Sequence, residues 1–228
     1  MAADRHTCAR HPRTPRRGFV LIELLVAMGV IGILATLLLG VVMRARHHAR
    51  DARCKGNLNH LWKAVSFYAN DHRDFLFVNH FPALRISNVM WKEQRPTGYG
   101  LLFPNYLGDK HSYYCPDDPA RDPEWQEFGW DAHWGTPEGE VQCSYGWRGR
   151  QSFVSDPAVG LSLATIDTHR QKLIGCDYNE SFTAPVRIHH DDHMNVLRCN
   201  GSVEQVGLTP SFGPADTDFV DAINALDK

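Results

Sequence analysis

The residue types that could do chemistry fall into four groups along this chain of 228 residues. The first is one acid, Glu23, alone among ionisable side chains in the 25 residues from Phe19 to Met43. A carboxylate facing hydrocarbon costs a few kcal/mol, roughly 3 on insertion scales, so an acid in such a run marks function. The second group is His189, His190, Asp191, Asp192 and His193, the densest polar cluster. Imidazole suits zinc-like ions and carboxylates suit calcium. The run lacks the helical His-Glu-x-x-His spacing or paired cysteines of a specific zinc motif. A polar turn with His190 held by backbone is the plainer account, and a metal-dependent hydrolase built on His190 and His193 is the bolder one. The third group is the six cysteines, with no Cys-x-x-Cys among them. The fourth is Trp125, Phe128, Trp130 and Trp134 in a stretch rich in Pro and Gly. These form either a platform for a polysaccharide or protein, or a loop plugged onto its own sheet. Gly-x-Ser-x-Gly, P-loop and dinucleotide fingerprints are absent, and nothing fixes a Ser and a His together, so no enzyme is predicted.

The elements that must carry these groups start with the apolar run. As a helix, 25 residues rise about 37 Å, enough to cross about 30 Å of hydrocarbon. It is longer than the apolar core of a secretory signal, and its small residue, Gly18, precedes the run instead of following it. Arg5, Arg10, Arg13, Arg16 and Arg17 before it balance Arg44, Arg46, Arg50, Arg53 and Lys55 after it, so flanking charge does not orient the span. Beyond it, Cys54, Leu58, Leu61, Trp62, Val65 and Tyr68 recur at spacings of three and four, one apolar stripe on an amphipathic helix. No proline interrupts 19–81, which predicts one helix to about Asp71, roughly 80 Å at 1.5 Å per residue. Gly40 is its expected weak point. From Phe75 onward short apolar segments alternate with Gly, Pro and Asp. Phe75–Val78, Leu101–Phe103, Tyr113–Tyr114, Ser144–Trp147, Lys172–Cys176 and Asn195–Arg198 read as strands, with 116–123 and 131–139 as loops. The predicted class is α+β, a long N-terminal helix on a small antiparallel sheet. The residues after 18 carry 19 basic and 25 acidic side chains, a formal charge of −6, which argues against nucleic acid as the main partner.

The basic leader, Gly18-Phe19 and Glu23 at the fifth position after that step resemble the processing signal of type IV pilins and type II secretion pseudopilins. The resemblance implies cleavage after Gly18 by prepilin peptidase, methylation of the Phe19 amine, and pairing of Glu23 with a neighbouring subunit's N-terminus. It implies a cytoplasmic leader over 1–18, a transmembrane half-helix over 19–43, an amphipathic half over 44–74 and an extracytoplasmic β-rich domain over 75–228. Partners would be the peptidase, other pilin or pseudopilin subunits and inner-membrane lipid, in a pilus or pseudopilus. A membrane-anchored binding protein displaying the aromatic loop is the alternative. Cleavage would remove five arginines and one aspartate, leaving 19 basic against 25 acidic side chains, a formal charge of −6.

Two further segments resemble a large bacterial set of pilin-like proteins. One is 54–76, a Cys, then Asn-Leu, then Tyr-Ala-Asn-Asp. The other is His190, nine residues, then Asn200-Gly201, with Asn195-Val196-Leu197 inside, where the set has Asp at position 200. Tyr114-Cys115-Pro116-Asp117-Asp118 and Ser144-Tyr145-Gly146 match in patches. Some pseudopilins hold calcium in a C-terminal loop, which makes Asp191, Asp192 and Asn200 candidate donors for a structural Ca; no other cofactor is expected. Cys8 would leave with the leader, and oxidising surroundings would act on the remaining five. The expected bridges are Cys115–Cys143 and Cys176–Cys199, with Cys54 left over on the helix.

Overall fold

The structure, a computed structural model, describes residues 21–77, 86–118, 121–148, 172–181, 184–188, 190 and 193–207. Gly18, Phe19, His189, Asp191 and Asp192 lie outside the described residues. The chain divides into two compact units, Met1–Arg46 and His47–Lys228.

Helix α1 runs unbroken from Leu21 to Asp71. In the first unit its large apolar side chains are exposed, Leu21 at 80%, Leu37 at 67% and Met43 at 65% among them. It is long and apolar enough to cross a membrane. Thr36 returns its hydroxyl to the Ile33 carbonyl at 2.8 Å, which satisfies a polar group without water. Gly40 does not interrupt the helix, and a Cβ there would meet nothing within 4 Å.

In the second unit α1 changes character. Cys54, Leu58, Leu61 and Val65 are fully buried, with Trp62 and Tyr68 packed at the margin. Each buried leucine contributes on the order of 2 kcal/mol by leaving water. The stripe also carries Asp51, Asn57, Ala64 and Ala69 inward. The helix stops where Arg73 and Asp74 adopt left-handed φ of 57° and 66°, with the Asp74 amide returning to the Ala69 carbonyl at 2.8 Å.

Among the described residues eight strands follow: β1 (Ile86–Lys92), β2 (Arg95–Pro96), β3 (Val141–Arg148), β4 (Leu173–Cys176), β5 (Tyr178–Ser181), β6 (Ala184–Ile188), β7 (His193–Arg198) and β8 (Val203–Gly207). Six form one antiparallel sheet in the order β2-β1-β3-β4-β7-β8, and β5-β6 is a separate hairpin. This is the expected α+β pilin-like architecture. The core lies where the α1 stripe meets Met90, Tyr145, Trp147, Ile174 and Leu197.

Three expected strands are different. Leu101–Phe103 overlaps a 3-10 turn at Gly98–Leu102, and Tyr113 closes another at Lys110–Tyr113. Phe75 makes only an isolated bridge. In the second turn the Asp109 carboxylate accepts from the His111 amide at 3.0 Å, a local cap that competes with strand pairing. Strands β1, β2, β5, β6 and β8 were not anticipated: β1 carries Ser and Asn among its apolar residues, and β8 is mostly exposed.

The cysteine expectation is corrected. The bridge joins Cys54 to Cys115, with Cα atoms 5.2 Å apart. Cys143, Cys176 and Cys199 are buried thiols. The inward face of α1 brings Cys54 against the segment after the 3-10 turn, which uses Cys115. Cys143 instead donates to the Asn88 and Tyr145 carbonyls at 3.3 and 3.1 Å. On β4-β7, Cys176 stands opposite Val196, while the Cys199 amide bonds Lys172. Four residues of strand separate them, roughly 13 Å at about 3.3 Å per residue, beyond the roughly 7 Å a bridge tolerates.

Candidate functional site

Among the described residues, two places bear functional groups, one in each unit. In the first, Glu23 lies in the first described turn of α1 and is exposed, amid exposed Ile22, Leu24 and Leu25. The helix thus presents a carboxylate on a surface otherwise apolar.

In the second unit a polar centre lies inside the fold. The α1 stripe, read at spacings of three and four, runs back from Cys54 to Asp51, which is 7% exposed. Strand β7 contributes His193 and Asn195, the β4-β5 link Asp177, and the segment after Cys115 contributes Asp117. His190 enters just before β7 and is 2% exposed. Its Nε2 lies 2.9 Å from Asp177 Oδ2 and 3.9 Å from Asp51 Oδ1, and its Nδ1 lies 3.0 Å from Asp117 Oδ2. The His193 ring stacks on it at 4.6 Å, 11° from parallel, with Nε2 3.1 Å from Asp51 Oδ1. Cys115 Sγ approaches His190 at 3.8 Å, so the disulfide borders the centre. Arg50 pairs with Asp117 from the outside.

Electrostatics follow from this packing. Burial pushes the Asp51 carboxyl up, but hydrogen bonds from Asn195, His193 and Lys55, with the Lys55 charge, outweigh it and hold Asp51 well below the usual carboxylate range. Burial pulls His190 down, yet the Asp177 hydrogen bond and the charges of Asp177, Asp117 and Asp51 leave it raised. Cys143, by contrast, is pushed up to about 12 by burial, only partly offset by the Tyr145 backbone bond and Arg121. That thiol is a packing group, not a nucleophile.

Sequence reading placed His190 in a turn against backbone; the structure surrounds it with side chains. Asp51, Asp117 and Asp177 were missed. The signal for Asp51 was available, since a carboxylate continued the apolar stripe, whereas nothing local distinguishes Asp117 or Asp177 from loop acids. Asn200 is exposed, and its Oδ1 accepts from the Ser202 amide at 2.8 Å in the β7-β8 turn. An acceptor oxygen is all that turn uses, so Asn serves where the resembling proteins have Asp. Gly201 next to it has φ +82°, and a Cβ there would stand 2.3 Å from Trp62 Nε1.

The aromatic loop packs inward. Trp130 is 6% exposed and stacks on Trp134 at 4.1 Å, 5° from parallel, with Phe103 edge-on at 4.6 Å. Trp125 is half-buried beneath the Arg121 guanidinium, 5.3 Å from its ring.

Against known protein families, residues 13–39 match the prokaryotic N-terminal methylation motif. The match spans Gly18, Phe19 and Glu23. No curated protein and no solved structure matches the chain. The chain therefore carries a prepilin-type methylation motif ahead of a pilin-like α+β architecture. That is the mark of a pilin- or pseudopilin-like substrate of prepilin peptidase, and its apolar helix fits a single-pass inner-membrane anchor.

Proposed function

We propose that the protein is a structural subunit of a type IV pilus or type II secretion pseudopilus. It is cut after Gly18, methylated at Phe19, and assembled through the apolar half of α1 with the domain after it outside the cytoplasm. The methylation motif over 13–39 carries this reading, and the exposed apolar side chains of its described part, from Leu21 onward, support it. In lipid that face needs no partner; in a filament it needs neighbouring copies. Glu23 gives the stagger its preference, because a carboxylate and a neighbour's amine are each costly in hydrocarbon and neutralise one another. The work done is assembly, with no catalytic step. Replacing Glu23 with Leu tests it: the chain should still insert in the membrane and fold, while its incorporation into sheared filament or pseudopilus fractions falls at least tenfold. Wild-type incorporation of that variant would refute the assembly role and favour a plain membrane anchor.

A further inference from the structure

Where the apolar run of α1 ends, the helix continues and its charge changes abruptly. Residues 44–55 hold Arg44, Arg46, Arg50, Arg53 and Lys55 against a single acid, Asp51. Residues 56–228 hold 14 basic and 23 acidic side chains, a formal charge of −9. Two of the five cations are used within the fold: Arg50 pairs with Asp117, and Lys55 with Asp51 at 3.1 Å. Arg44, Arg46 and Arg53 are exposed, and among the described residues none of the three meets an acid. On the translocated side of a membrane such charges hinder insertion, so a cluster of them needs a counterpart.

Their angles around the helix separate the candidate counterparts. At about 100° per residue, Arg44 and Arg46 stand roughly 200° apart, and Arg53 falls within about 20° of Arg46. His48, also exposed, lies about 40° from Arg44. The basic groups therefore ring the helix. A protein partner docks on one face and would favour a stripe, whereas an anionic layer surrounds a spanning helix on every side. Height agrees with angle. Arg44 and Arg46 rise about 1.5 and 4.5 Å beyond Met43, inside a headgroup layer roughly 5–7 Å deep. Arg53, about 15 Å beyond Met43, stands within about a Debye length of that layer.

We propose that Arg44, Arg46 and Arg53 bind the phosphate groups of anionic lipids at the membrane face from which the domain emerges. The inference rests on the reading of the apolar half of α1 as a membrane anchor. The collar fixes the depth of the helix, and the excess acid of residues 56–228 keeps the domain off the same surface. Breaking these phosphate contacts then becomes part of the work of drawing the helix out of lipid. Each arginine near such a surface strengthens binding about fivefold.

The test takes the full chain in detergent with equimolar phosphatidylglycerol and phosphatidylcholine and counts the lipids it retains by native mass spectrometry. The unaltered chain should retain phosphatidylglycerol at least fivefold over phosphatidylcholine. Replacing Arg44, Arg46 and Arg53 together with Gln should abolish that preference, while the matching Lys variant keeps it. Retention of the Cys54–Cys115 bridge and of the far-ultraviolet spectrum shows that the variants fold. The leader arginines are untouched, so a preference that survives in the Gln variant belongs to them and overturns the proposal. Equal retention of the two lipids by the unaltered chain overturns it too, and leaves the acidic domain of a second copy as the counterpart. Flotation with vesicles of phosphatidylcholine alone reports the anchor separately. A chain that does not float refutes the membrane reading itself, whereas one that floats without lipid preference refutes only the collar.

Discussion

One helix serves two solvents. Before Arg46, α1 exposes leucines, isoleucines and valines and holds a single acid outward; after His47, the same helix buries its apolar stripe and takes an aspartate and an asparagine inside with it. Within its own unit the described part of the first segment keeps its large apolar side chains exposed, so on the proposed reading lipid or other subunits would supply its burial. The second is covered by its own sheet, tied by a disulfide and holds buried polar groups such as Asn57, which donates to Tyr114 O and Tyr145 Oη at 3.0 and 3.1 Å. The comparison teaches that helix continuity does not imply a common energetic source.

That division is open to direct attack. The largest effect is expected from the disulfide. Replacing both Cys54 and Cys115 with Ala removes a closure between residues 61 apart in sequence, which the chain-entropy model values at about 4 kcal/mol. Thermal melting of the domain should fall steeply, while membrane insertion stays at the wild-type level. Gly201→Ala should cost about 2 kcal/mol, since the new methyl meets Trp62 and the φ of +82° disfavours any Cβ. Denaturant midpoints at an unchanged slope would measure it. Gly40→Ala, where a Cβ meets nothing within 4 Å, should leave the domain's melting temperature within a degree of wild type. A large loss there would mean that the two regions do not draw stability separately.

How much of this was legible in sequence differs between the same two regions. The apolar segment was legible as a helix and as a methylation motif because its signal is local: a run of one character, a basic flank, a Gly-Phe step and one acid. The stripe on 54–68 was equally plain, being a periodicity of a single helix. The disulfide was misassigned because bridges depend on which loop a helix face meets, and that is a property of the packed fold. The centre around His190 gathers residues 51, 117, 177, 190, 193 and 195, and no spacing rule links Asp51 to Asn195 across 144 positions. The strand errors at Leu101–Phe103 and Tyr113–Tyr114 have a local cause, since short apolar runs fit a 3-10 turn as well as a strand, and the Asp109 cap decides for the turn.

The central claim is that residues 13–39 are a working prepilin signal. Intact-mass and N-terminal peptide analysis of the chain extracted from membranes tests it most directly. The account predicts a mature chain beginning at Phe19, with its α-amine monomethylated, and accumulation of the uncut form when prepilin peptidase is deleted. A chain that keeps residues 1–18 in the presence of the peptidase would contradict it.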